Sequence, residues 1–233
     1  MIRAALFDLD GTLIDTVDLH AAAWQQAFER FGKEVSYEEV RSQIGKGGDQ
    51  LIPTFLSPEE NERFGAELEE YRSALYSREY LPLATAFPGA RELVEQVRRA
   101  GMVVAIASSC KKAELDHNLR LVGIEELVSA ALTGDDIEES KPHPDVFEAA
   151  LDRVGVAPYQ SLAIGDSPYD AIAAARAGVR TIGVLCGGFP RETLLDAGCI
   201  ALYDGPADLL ASFDTSPLSP WLAEQGTAPS AWQ

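Results

Sequence analysis

The stretch Arg3-Ala4-Ala5-Leu6-Phe7-Asp8-Leu9-Asp10-Gly11-Thr12 constrains this chain more than any other. A short apolar run that stops near a glycine fits a buried parallel strand entering a loop. Two carboxylates one residue apart then stand at the strand's carboxyl end, the edge on which α/β folds assemble their sites. Capping a following helix explains one such Asp, because the first helical N–H groups need an acceptor. It does not explain two, nor the Gly-Thr that follows. Buried together, they call for a cation, a proton or water nearby. The stretch reads as an active site.

Beyond it, helical periodicity covers 18–31, with Gly32 as the stop. Ser36 with Glu39, and Ser57-Pro58-Glu59-Glu60, are capping boxes that open helices to about 44 and 79. Between them, 45–49 reads as a flexible glycine loop and 50–56 as weak helix limited by Pro53. Residues 16–80 thus form an all-helical insert, too long for a crossover and long enough for a small domain. Strands are expected at 102–107, 127–132, 161–164 and 181–185. Helices are expected at about 89–100, 112–122, 144–154 and 169–177. This alternation predicts an α/β core, residues 1–15 and 81–213, with a doubly wound parallel sheet. The tail 214–233, rich in Ser, Pro and Ala and carrying Trp221 and Trp232, is expected to be flexible.

A formal charge of −18 disfavours nonspecific binding to nucleic acid or anionic membranes. An anionic substrate would need a local cation to offset that field. Cys110, Cys186 and Cys199 lack metal-site spacing and fit reduced thiols. No apolar stretch approaches the ~20 residues of a membrane span. The expectation is a soluble, cytoplasmic protein; its oligomeric state is not readable.

In a parallel sheet the carboxyl ends share one edge, so Asp8, Asp10, Ser108, Asp166 and Asp170 can converge there. Lys141, before Pro142-His143-Pro144, can reach the same edge. Several carboxylates with one Lys and one Ser suit Mg²⁺ and phosphate, since Mg²⁺ takes hard oxygen ligands. Taken singly, Ser108 reads as a loop hydroxyl, Lys141 as a surface lysine and Asp170 as a first-turn acid.

Together these four elements resemble, in order, the four motifs of the haloacid dehalogenase superfamily, over roughly residues 1–210. The insert is similar to the family's subclass I helical cap. The resemblance implies a Rossmann-like core and Mg²⁺-dependent phosphoryl transfer from a small phosphorylated metabolite. It makes Asp8 the nucleophile and Asp10 the acid/base. Ser108 and Lys141 would hold the transferring group, with Gly11, Thr12 and Ser109 beside it. It assigns the metal to Asp8, the main-chain carbonyl of Asp10, and Asp166, with Asp170 in support or merely capping its helix. Asp10 also disfavours carbon–halogen hydrolysis, because family members with that activity lack the second Asp.

The run Asp15-Thr16-Val17-Asp18-Leu19-His20 with Ala23-Trp24 resembles the β-phosphoglucomutase branch. There His20 would be a hinge histidine; otherwise it is an ordinary helix residue. Such mutases hold a second phosphate with a cap arginine, and Asp49 falls at that position. A carboxylate cannot replace a phosphate-binding guanidinium, although Lys46 is nearby. Lys111 either meets substrate phosphate or faces water. Phe55, Phe64, Tyr71 and Tyr76 read as cap core. A phosphatase is therefore favoured over a mutase, and both over a catalytically silent binding module, since every catalytic position is filled.

Overall fold

The computed structural model describes residues 1–219. Its strands are β1 (Ala4–Phe7), β2 (Ile14–Asp15), β3 (Thr85–Ala86), β4 (Val103–Ala107), β5 (Ala130–Leu132), β6 (Ser161–Gly165), β7 (Arg180–Val184) and β8 (Cys199–Tyr203). Six of them form one parallel sheet in the order β5-β4-β1-β6-β7-β8. Alternation along β1 explains why both faces are covered. Ala5 and Phe7 join a cluster with Val94, Val97 and Ile106, whereas Ala4 and Leu6 join one with Val146 and Phe147. The core is a doubly wound α/β sheet.

Strand order reverses at β1, which has β4 on one side and β6 on the other. Ligands of open α/β sheets bind in the crevice at such a point. Phe7 pairs with both Ile106 and Ile164, so Asp8, Ser108 and Asp166 emerge within two residues of one level.

The insert contains helices α1 (Val17–Arg30), α2 (Tyr37–Arg41) and α3 (Gly48–Phe55), then unbroken helical turns from Pro58 to Tyr80. Both capping boxes are present. Val17, Ala21, Trp24, Phe28, Leu51 and Leu68 make a separate core. The chain leaves for the insert through β2 and returns through β3, and these two strands pair with each other. Strands of two residues carry no readable period, so the sequence offers no sign of this paired entrance.

Three expectations change. The glycines of 45–49 serve close approach, and α3 already begins at Gly48. A Cβ on Gly45 would collide with Ser167, and one on Gly47 with Ser140, so this loop is seated against the core. The sheet also gains β8, which the alternating pattern did not reach. Finally, packing continues past Asp214: Phe213 and Leu218 are buried in the main core, and the Ser216 hydroxyl donates to the Phe213 carbonyl. The rest of the expected flexible tail, with Trp221 and Trp232, lies outside the described residues. Among the described residues, no helix is long and apolar enough to cross a membrane.

Candidate active site

Where the sheet edge meets the insert, a cavity of about 230 Å³ opens. That is below the roughly 300–1,000 Å³ common for small-molecule pockets. Asp8 and Ser108 form its floor from the ends of β1 and β4, and Asp10 stands beside them.

Lys141 is buried and bridges two carboxylates, with Nζ 2.5 Å from Asp8 Oδ1 and 2.7 Å from Asp170 Oδ1. The Thr12 hydroxyl lies 3.3 Å from Asp8 Oδ2 and 3.2 Å from Asp166 Oδ1. Oxygens of Asp8, Asp166 and Asp170 all fall within 4.8 Å of one another. Burial pushes the Asp8 carboxyl up to about 7, with Asp170 and Asp10 adding to the rise against the pull of Lys141. Asp166 is driven well above its ordinary value, first by burial and then by Asp170 and Asp8. Burial works against the Lys141 charge, but Asp170 and Asp8 raise its pKa overall. Three carboxylates against one ammonium leave a charge deficit that suits a divalent cation. The backbone makes room beside Asp166: a Cβ on Gly11 or on Gly187 would run into its carboxylate. The hard-oxygen donor set and this glycine cradle both fit Mg²⁺.

Asp10 occupies a different environment. Its Oδ1 accepts from the Thr16 hydroxyl at 2.8 Å and lies 3.2 Å from His20 Nε2. Burial would raise its pKa, but His20, Thr16 and Arg72 outweigh that and hold it low. The Asp10 side chain, expected to serve as the acid/base, faces the insert, and the clustered carboxylates are those of Asp8, Asp166 and Asp170. Asp170 also caps its own helix: Oδ2 accepts from the Ser167 N–H at 3.1 Å and hydroxyl at 2.6 Å. The capping reading holds, and the other carboxylate oxygen meets Lys141.

Ser108 is buried, and its Oγ accepts from the Cys110 N–H at 3.1 Å. Ser109 lines the cavity with a buried hydroxyl that has no partner. Lys111 lines it from an exposed position just before helix Lys112–Val122. Lys46 also lines it, but its ammonium bonds Gln43 at 2.6 Å and sits over the Tyr169 ring, and burial lowers its pKa. Asp49 accepts from the Ser140 N–H at 3.0 Å, tying the insert to the residue before Lys141. Of the four aromatics expected in the cap core, Phe55 and Phe64 pack there and Tyr71 is largely exposed. Tyr76 departs from expectation by stacking on His20, with ring centroids 4.0 Å apart.

Sequence reasoning missed Arg72 and Glu114. Arg72 contacts His20 Nδ1 and lies over the Trp24 and Tyr76 rings; its Nη1 is 3.9 Å from Glu114 Oε1. In Glu69-Glu70-Tyr71-Arg72 the guanidinium looks like ordinary surface charge. The available signal was the helical spacing of Arg72 and Tyr76, which puts both on one face.

Comparison with known proteins agrees with this geometry. A family model described as haloacid dehalogenase-like hydrolase matches residues 5–184. The pyrophosphatase PpaX of Oceanobacillus iheyensis is 32% identical over 78% of this chain and 83% of its own. A phosphorylated carbohydrates phosphatase of Thermotoga maritima is 29% identical over 90% of this chain and 97% of its own. The crystal structure of a hydrolase from Pseudomonas syringae superposes with a TM-score of 0.83, at 31% identity, over 91% of this chain and 98% of that one.

Proposed function

The chain belongs to the haloacid dehalogenase-like hydrolases, and from that premise we propose that it is a Mg²⁺-dependent phosphatase of small phosphate monoesters, working through an aspartyl-phosphate on Asp8. The observation that carries this is the Lys141 ammonium held between Asp8 and Asp170 beside the buried carboxylate of Asp166.

Asp8 and Asp166 would hold the Mg²⁺, together with the main-chain carbonyl of Asp10, and Asp170 would support them by positioning Lys141. When bound, the ion supplies positive charge to the phosphoryl oxygens. Asp8 forms a bond to phosphorus as the bond to the leaving oxygen breaks. Asp10, carrying a proton, gives it to that oxygen. Ionised again, it takes a proton from the water that attacks phosphorus and releases phosphate. Thr16 and His20 fix its carboxylate for both transfers and favour the ionised form needed in the second. Lys141 and Ser108 steady charge on the transferring group. His20 belongs to this machinery through its contact with Asp10.

The phosphatase reading outranks mutase because Asp49 falls, by its place in the sequence, where the mutase branch has its phosphate-binding cap arginine, and its carboxylate is engaged by the Ser140 N–H. The small cavity and the helical insert over it favour a small metabolite over a phosphoprotein.

The test is phosphate release from a panel of monoesters, with and without Mg²⁺. Asp8→Asn should lower turnover by at least about 10⁴-fold while its far-UV circular dichroism stays unchanged. Equal turnover in Asp8→Asn and the parent would overturn the mechanism.

A further inference from the structure

The wall opposite the reacting carboxylates carries buried polar groups that the chemistry above does not use. Glu114 lines the cavity at 3% exposure, and its Oε1 accepts no hydrogen bond. Facing it across 3.9 Å is Arg72, 9% exposed, whose Nε–H has no acceptor. Leaving such groups unsatisfied is costly, more so for charged ones. A spare acceptor and a spare donor therefore belong to two side chains that face each other in the cavity lining.

We propose that Arg72 and Glu114 form the leaving-group subsite, and that the alcohol released is neutral and polyhydroxylated. This deepens the phosphatase reading and rests on it. A hydroxyl donates and accepts at once, so it satisfies Glu114 and Arg72 together. A carboxylate or second phosphate can only accept and would face the Glu114 charge; an ammonium can only donate and would face Arg72. Surrounding charge acts against anions as well. Besides Glu114, the carboxylates of Asp49, Glu69, Asp135 and Glu138 line the cavity. Of the lining cations, Arg72 already faces Glu114, and Lys46 is engaged by Gln43 and the Tyr169 ring. Only Lys111 stands at the mouth without a partner among the described residues.

Matched esters isolate the leaving group's charge. Glycerol 3-phosphate and 3-phosphoglycerate differ by a hydroxymethyl against a carboxylate, and glucose 6-phosphate and 6-phosphogluconate form a larger pair. In each pair kcat/KM should favour the neutral ester by at least about tenfold, since like charge in a closed site is strongly disfavoured. Glu114→Gln should narrow that ratio at least about fivefold, because the amide keeps a hydrogen-bonding oxygen without the charge. A merely structural role would lower both members equally and leave the ratio unmoved. Glu69→Gln, at a half-exposed site, provides the same test should Glu114→Gln fail to fold.

Equal or reversed preference within the pairs overturns the proposal. So does a tenfold preference for glucosamine 6-phosphate over glucose 6-phosphate, which would mark a cation site. Hydrolysis of p-nitrophenyl phosphate separates the two levels. If it proceeds while the pairs fail, the subsite alone is wrong; if no ester is hydrolysed, the phosphatase reading falls and the subsite with it.

Discussion

The two sides of the cavity treat buried charge differently. On the sheet side every carboxylate has a hydrogen-bond partner: Lys141 lies between Asp8 and Asp170, and the Thr12 hydroxyl lies between Asp8 and Asp166. On the other side, Arg72 of the insert faces Glu114 of the core helix Lys112–Val122 at 3.9 Å with atoms to spare. The sheet side is built on strand ends whose register is fixed by pairing with both neighbours of β1. Arg72 comes from an insert helix joined to the core through two two-residue strands, whereas Glu114 stands on the core helix Lys112–Val122. A rigid edge suits a reaction centre that must not reorganise. A wall shared between core and insert, with unsatisfied groups on both, suits recognition of whatever enters.

The sharpest way to break this contrast is to remove the cation that pairs the sheet side. Lys141→Met should cost about 3–5 kcal/mol in urea unfolding without metal, because it leaves buried carboxylates uncompensated. Adding Asp166→Asn to that variant should recover part of the loss by removing one of the repelling charges. If Lys141→Met is as stable as the parent, the pairing on this side has been overestimated.

Metal binding sharpens the comparison next. At Mg²⁺ a hundredfold above its Kd, the folded state should gain about 2.7 kcal/mol, read as a rise in Tm. Asp166→Asn should abolish that rise, and Glu114→Gln should leave it intact. A Glu114→Gln protein that no longer responds to Mg²⁺ would mean that the two sides are not separable.

How far the sequence revealed each side follows from the same physics. Asp8, Ser108 and Asp166 were legible because strand ends in a parallel sheet must share an edge, so position along the chain nearly determines position in space, and Lys141 was legible from the loop that leads to the same edge. Helix Lys112–Val122 was equally plain from its spacing and from Gly123, which ends it in the left-handed conformation. The pairing of Arg72 with His20 spans 52 residues and depends on how the insert's helices cross. No local pattern encodes that. Glu114 stands in the first turn of its helix, where an acid is favourable without any further role, and only tertiary packing buries it. Gly45 and Gly47 suggested a mobile loop, whereas they are there because the backbone passes close to Ser167 and Ser140. Asp10 lines the cavity at the expected sheet edge, but its side-chain direction depends on Thr16 and His20, which local sequence cannot orient.

The smallest effect concerns the seam between the two sides. Away from Asp10, hydrogen bonds cross it at three places: Asp49 accepts from the Ser140 N–H, Arg41 donates to the Gly187 carbonyl at 3.1 Å, and the Tyr169 hydroxyl reaches the Ser42 carbonyl at 2.7 Å and Gln43 at 3.3 Å. Asp49 matters most for the chemistry, since Ser140 directly precedes Lys141. Losing one such bond costs about 1 kcal/mol, so Asp49→Ala should raise KM for a neutral ester about fivefold with little change in kcat. The same substitution also removes a carboxylate from the cavity, and Asp49→Asn separates the two consequences. Asn keeps an oxygen for the Ser140 N–H but carries no charge. If the bond holds the insert closed, Asn restores KM for the neutral ester and Ala does not. If Ala and Asn behave alike, the residue acts only through its charge, and the seam is held without it.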